Sequence, residues 1–376
     1  MKKKILIIGF PNSVHTLNWI NSVDLTKFKV FFFPSTSSNL SCINDKRVTY
    51  YEDHYEISKL KIFLYRFLSL LSLDKFFFTP KIYIKQIIHN KYLLKDYIFF
   101  LQPDIIHSLE IQHSGYLTYD AINKSNFLDK RLILSNYGSD IYYFQNLNSH
   151  KKKIIKVLNF FSEIVCESKR DINLCKKYNK KIKTNLILNS TGIKFDNSNK
   201  PNLNLRKNII LKGYQGKFGR VLLIISYLYK IIDEINYENL FIFSSDLKTR
   251  LIIKLFYPRL KIIFLKTMSK DNLLKYFKKS IIYIGASISD GVSTSALDSI
   301  STKTFPLQSN TSTLRELFDE KSISYSLYNY NDFKKKFLFV FNKVDKAQKI
   351  IDNLYVSSKK YDDKIEKLKI SKLYST

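Results

Sequence analysis

At 376 residues, with 45% hydrophobic and 25% charged side chains, the chain suits two globular domains and is too apolar for a disordered tract. Its formal charge of +30 rests on 62 Lys and Arg, of which only nine are Arg, in a sequence also rich in Ile, Asn, Tyr and Phe. That mixture fits a biased genomic composition, so the charge allows an anionic partner without identifying one. Three cysteines (Cys42, Cys166 and Cys175), odd in number and lacking metal-ligand spacing, exclude a disulfide scaffold and favour a reduced, cytoplasmic protein.

The opening "MKKKILIIGFP" holds about six apolar residues before Pro11, too few for a signal peptide, and reads as a first strand. Further strands are read in "KVFFFP", "RVTYY", "PDIIHS", "RLILSN", "SEIVCE" and "TNLILN", with helices such as "SVHTLNWINSV" and "GYLTYDAINKS" among them. Residues 57–101 interleave aromatic and aliphatic residues with Lys. They suit either amphipathic helices on an anionic membrane or ordinary helices with one face on the sheet. "KFDNSNKPNLNLRKN", with Pro201 and five asparagines, reads as a linker. Strands then resume in "NIILKG", "NLFIFSS", "KIIFLK", "IIYIGA" and "TFPLQS", and a Lys-rich helical tail follows.

The expected organisation is thus an α/β chain of two Rossmann-like parallel-sheet domains. The first spans 1–195, a linker 196–207, the second domain 208–340 and the tail 341–376. Facing strand ends would leave a cleft. No apolar run reaches the roughly 20 residues that cross a bilayer.

Nine glycines are few for this length, and most follow a short apolar run, where an open α/β sheet binds ligands. Gly213, Gly216 and Gly219 form a triplet flanked by Lys212 and Arg220, suited to a diphosphate or, more plainly, to a tight turn with two solvated cations. "SDGVSTSALDSI" places Asp290 and Asp298 eight positions apart around a hydroxyl-rich helix start. It suits an anion at the helix terminus, or a capped helix with two solvated acids. There is no D-x-D, G-x-S-x-G, H-E-x-x-H or C-x-x-C, so no metal site is expected.

Together, "KGYQGKFGR" and "SDGVSTSALDSISTKTFPLQSNTSTLREL" resemble the carboxyl half of retaining GT-B glycosyltransferases of the group 1 (family 4) type. "GFPNSVHTLNWINSV", "PDIIHSLEIQHSGY", "SNYGSDI" and "LNSTGI" resemble the amino half, so the likeness runs from residue 4 to about 320. It implies that Asp290 approaches the donor sugar, and that Gly291, Ser293, Thr294 and Ser295 meet the diphosphate. Asp298 would hold the ribose, while Lys212, with Gly213, and Arg220 would stabilise the leaving group. Leu109 stands where the family has a sugar-touching His, with His113 and Glu110 the candidates to replace it, and Asp140 would border the acceptor. Both acids of the pair are Asp where Glu is usual. Lys303 takes the place of the family's Gly, and Ser301 and Thr302 replace small apolar residues.

The resemblance implies a cytoplasmic, retaining, metal-independent transferase without cofactor. It would use a nucleotide sugar and a glycan or lipid-linked acceptor of bacterial surface polysaccharide, with weak peripheral contact to anionic membrane and no nucleic acid partner. A GT-B-fold sugar-nucleotide epimerase and a basic nucleic-acid-binding protein remain the rival readings.

Overall fold

The computed structural model describes residues 2–375 apart from 12, 37–47, 51–79, 125–129, 189–191 and 196–199, with backbone only at 49–50 and 80–90. Cys42, residues 57–79 of the basic aromatic segment, 189–191 of "LNSTGI" and 196–199 of the expected linker lie outside the described residues. The chain divides into two compact units, one of residues 1–191 with 366–376 and one of residues 192–365.

In the first unit β1 (Lys3–Gly9), β2 (Phe28–Pro34), β3 (Thr49–Tyr50), β4 (Ile105–Leu109), β5 (Arg131–Ser135), β6 (Glu163–Cys166) and β7 (Lys183–Leu186) form one parallel sheet in the order β3-β2-β1-β4-β5-β6-β7. Its central strands are unbroken apolar runs because both faces are covered. Alternation along each strand divides them between two cores. Leu6, Ile8, Leu132 and Leu134 join the helices on one face, and Ile5, Ile7, Ile133 and Val165 face the other. Each such fully buried side chain contributes roughly 1.5–3 kcal/mol. The helix Pro80–Leu101 buries Leu94, Ile98 and Leu101 in the first core. Ile370, Leu373 and Tyr374 of the last helix, Asp363–Ser375, complete the second.

The second unit repeats the plan. β8 (Asn208–Lys212), β9 (Leu240–Phe243), β10 (Ile262–Phe264), β11 (Ser280–Gly285), β12 (Phe305–Ser309) and β13 (Ser324–Tyr325) lie parallel in the order β10-β9-β8-β11-β12-β13. At the amino ends of the strands the buried Arg206 donates to the carbonyls of Pro201, Ser280 and Thr302 and to Thr304 Oγ1. Burial lowers its pKa to about 10, and the guanidinium remains charged while bridging three segments of the chain. Among the described residues, no helix is long and apolar enough to cross a membrane.

Candidate functional site

In both sheets the strand order reverses beside the first strand of the unit, the switch point at whose carboxyl edge an open α/β sheet places a ligand crevice. In the second unit the adjacent strands there are β8 and β11, whose ladder runs to Leu211 opposite Ile284. The glycine triplet leaves one, and the hydroxyl-rich stretch leaves the other.

The two loops are stitched together. Gly219 bridges Ser287, the Arg220 N–H donates to the Ala286 carbonyl at 3.2 Å, and the Ile288 N–H donates to that of Phe218 at 2.8 Å. The fold of its own loop explains the glycine at 219, since a Cβ there would lie 2.0 Å from the Tyr214 carbonyl oxygen. Gly213 has its N–H committed to the Phe243 carbonyl at 2.7 Å, so that amide is not free for a phosphate. Half-buried Arg220 precedes the helix Val221–Ile231 and turns Nη1 onto the carbonyls of Gly216, Lys217 and Gly219. Nε and Nη2 have no bond to the described residues, which leaves one edge of the fork for a ligand.

On the other strand, Ser309 Oγ accepts from the Ser287 N–H and donates to the Ser287 carbonyl, joining the loops that follow β11 and β12. The Gly291 carbonyl accepts from Ser312 Oγ at 3.0 Å and the Thr313 N–H at 3.2 Å. Ser293 is the N-cap of the helix Thr294–Ser301, with no side-chain bond back to it; its buried hydroxyl and that of half-buried Ser295 face the Tyr283 hydroxyl. The first amides of this helix have no intrahelical partner and carry the positive end of the dipole.

Asp290 is half-buried; burial first, and then the Asp290 charge, holds the Tyr283 hydroxyl protonated. Asp298 is buried and pairs through Oδ1 with Lys270 Nζ at 2.9 Å. Burial raises its carboxyl, while Lys270 and then Lys212 pull it back down, so both lysines stand within electrostatic reach of it. Sequence reasoning missed Lys270, which opens the helix Lys270–Lys279 outside any motif; its one signal is the capping residue Ser269 before it. A cavity of about 550 Å³ opens beside these loops, lined by Ile288, Thr311, Ser326 and Tyr328 among others.

In the first unit the adjacent strands are β1 and β4. Glu110 follows β4 with φ 84°, left-handed backbone that costs a non-glycine residue roughly 1–3 kcal/mol. Its carboxyl offsets this by accepting from the N–H groups of Gln112, His113 and Ser114, which shapes the turn Ile111–Gly115. Asp140 Oδ2 accepts from the N–H groups of Tyr137 and Ile111 at 3.0 and 3.2 Å, joining the loops after β4 and β5. Burial, reinforced by Asp140, pushes Glu110 up to about 8, and burial pushes Asp140 up to about 6. Both carboxyls expected on the acceptor side are therefore turned into the backbone. Of that trio His113 alone keeps a partly exposed side chain, its ring edge-on to Phe10 at 4.7 Å.

Among the described residues no group of three or more His, Cys, Asp and Glu is placed to hold a metal ion. No protein-family model matches the chain, and no curated protein matches it. Solved structures do match. Sucrose-phosphate synthase from Thermosynechococcus elongatus superposes with TM-score 0.76 at 10% identity, over 100% of this chain and 98% of that one. TarM gives 0.73 at 11%, over 100% and 99%. A trehalose-6-phosphate structure from E. coli, bound with UDP-2-fluoro glucose, gives 0.70 at 11%, over 100% and 99%. At such identities the likeness speaks for architecture. The chain has the GT-B fold, two Rossmann-like units each built on a doubly wound parallel sheet.

Proposed function

We propose that the protein is a glycosyltransferase that takes a sugar from a nucleoside diphosphate donor bound at the β8/β11 crevice of the second unit. The observation that carries this reading is the stitching of Gly219–Arg220 to Ala286–Ser287, which brings a basic glycine loop and an uncapped helix start to one crevice. A diphosphate needs both, a bidentate cation and free amides. The bond between anomeric carbon and diphosphate oxygen breaks as the acceptor hydroxyl attacks from the same face. The departing oxygen takes the acceptor's proton, and configuration is retained. Negative charge grows on the diphosphate, where Arg220, Lys212 and the amides of Thr294 and Ser295 stabilise it. Asp298 is the ribose ligand and Asp290 the sugar ligand. His113 is the remaining polar side chain for the acceptor side, and Glu110 and Asp140 position its turn.

The finer reading is of a retaining, metal-independent enzyme that extends a lipid-linked or growing glycan of a bacterial surface polysaccharide. Release of nucleoside diphosphate from a nucleotide sugar, measured with and without oligosaccharide acceptors and with excess chelator, tests it. The expected result is acceptor-stimulated release that chelator leaves unchanged. Interconversion of the donor without release would indicate an epimerase. Loss of activity on chelation, restored by magnesium or manganese, would overturn metal independence.

A further inference from the structure

We propose that the helix Leu247–Phe256 is a docking face for an anionic bilayer. The inference is independent of the donor reading, because the helix precedes β10, the outermost strand of its sheet, and the crevice lies between β8 and β11.

The helix sequence LKTRLIIKLF advances by about 100° per residue. Thr249 and Ile253 are buried and mark the inward side. Leu247, Leu251 and Leu255, four apart, run along the opposite line with exposures of 55%, 49% and 72%. Lys248 and Lys254 fall on either flank of that line, and both are exposed. Scattered surface leucines need no account, but a continuous stripe does.

Charge identifies the occupant. Residues 247–266 contain Lys248, Arg250, Lys254, Arg259, Lys261 and Lys266 and no Asp or Glu. Arg259 pairs with the exposed Asp233 at 2.9 Å. The Arg250 guanidinium and the Lys254 ammonium lie 5.6 and 6.0 Å from the Phe264 ring centroid. Protein interfaces exclude Lys from their centres. A leucine stripe between lysines instead matches a helix lying in the headgroup plane, its apolar line among acyl chains and its ammonium groups on lipid phosphates.

Flotation of the full chain with phosphatidylcholine vesicles, with and without phosphatidylglycerol, tests this at low and high salt. The wild type is expected to float with the anionic vesicles and to be released by salt. Leu251→Ser combined with Leu255→Ser should lower recovery at least about tenfold, since two apolar anchors are lost, with the melting temperature unchanged because both side chains are exposed. Lys248→Gln with Lys254→Gln should weaken binding and flatten its salt dependence. Three results would overturn the proposal: equal recovery with neutral vesicles, undiminished binding of the double Leu variant, or a wild-type dimer that the same variant dissociates in sedimentation.

Discussion

The Tyr374 hydroxyl joins two buried rings, accepting from Trp19 Nε1 at 2.7 Å and lying 2.6 Å from His107 Nδ1. His107 Nε2 is hydrogen-bonded in turn to Ser135 Oγ at 2.9 Å, so both ring nitrogens have a buried partner. This histidine, beside the motif of β4, serves the core. Tyr374→Phe strands the indole N–H and Nδ1, and at about 1–3 kcal/mol for each buried group the expected loss is about 2–6 kcal/mol. Urea unfolding measures it; a change within about 0.5 kcal/mol, typical of surface sites, would contradict the network.

The buried ionisable groups of the first unit pull stability in opposite directions with pH. Burial, helped by Arg131, holds His107 down to about 3, so its contribution is present above its unfolded value near 6.5 and is lost as pH falls toward 3. Glu110, raised to about 8, contributes below its unfolded value near 4.3, and that contribution is lost as pH rises through 8. Glu110→Gln imitates the protonated carboxyl. Wild type should therefore lose stability relative to this variant from pH 5 to pH 8, by denaturant titration at each pH. A gap independent of pH would mean that Glu110 titrates ordinarily.

Lys303 has φ 54° where the resembling family carries Gly, so an L side chain is held in the left-handed region. That strain costs roughly 1–2 kcal/mol. Its ion pair with Asp352 at 2.6 Å is partly exposed and contributes up to about 1 kcal/mol. Lys303→Gly should therefore stay close to wild type, and Lys303→Ala, which keeps the strain without the pair, should fall about 1 kcal/mol below Lys303→Gly. Equal stability of the two variants would place the strain elsewhere.

Strands such as β1, β2, β8 and β11 were legible because parallel strands buried on both faces are apolar runs, here closed by Gly or Pro. All but β13 are anticipated, and its two residues, Ser324 and Tyr325, offer no such run. The helix start at Ser293 was legible from its hydroxyls. Partners distant along the chain were not. Arg206 meets Thr304 across 98 positions, and Trp19 meets Tyr374 across 355. Nor does a glutamate advertise positive φ as a glycine does, so Glu110 looked like a ligand when its carboxyl is folded into its own turn.

The two aspartates should differ in kind. Asp298→Ala is expected to weaken free nucleotide and nucleotide sugar alike, and Lys270→Ala should follow it more mildly as a positioning change. Asp290→Ala should spare nucleotide affinity and lower donor turnover. A lost bond to a charged group is worth roughly 1.5–3 kcal/mol, tenfold or more in the affected constant. Calorimetric titration beside turnover separates them; identical profiles for Asp290→Ala and Asp298→Ala would contradict the assignment.

Binding of a nucleoside diphosphate at the β8/β11 crevice tests the central claim most directly. Wild type and Arg220→Ala are each titrated with UDP, GDP and ADP while unfolding is followed. At least one nucleotide should stabilise the wild type, by about 2.7 kcal/mol at a hundredfold excess over Kd. Arg220→Ala should fold and lose that gain. Failure of all three to stabilise the wild type, or an equal gain in Arg220→Ala, would contradict it.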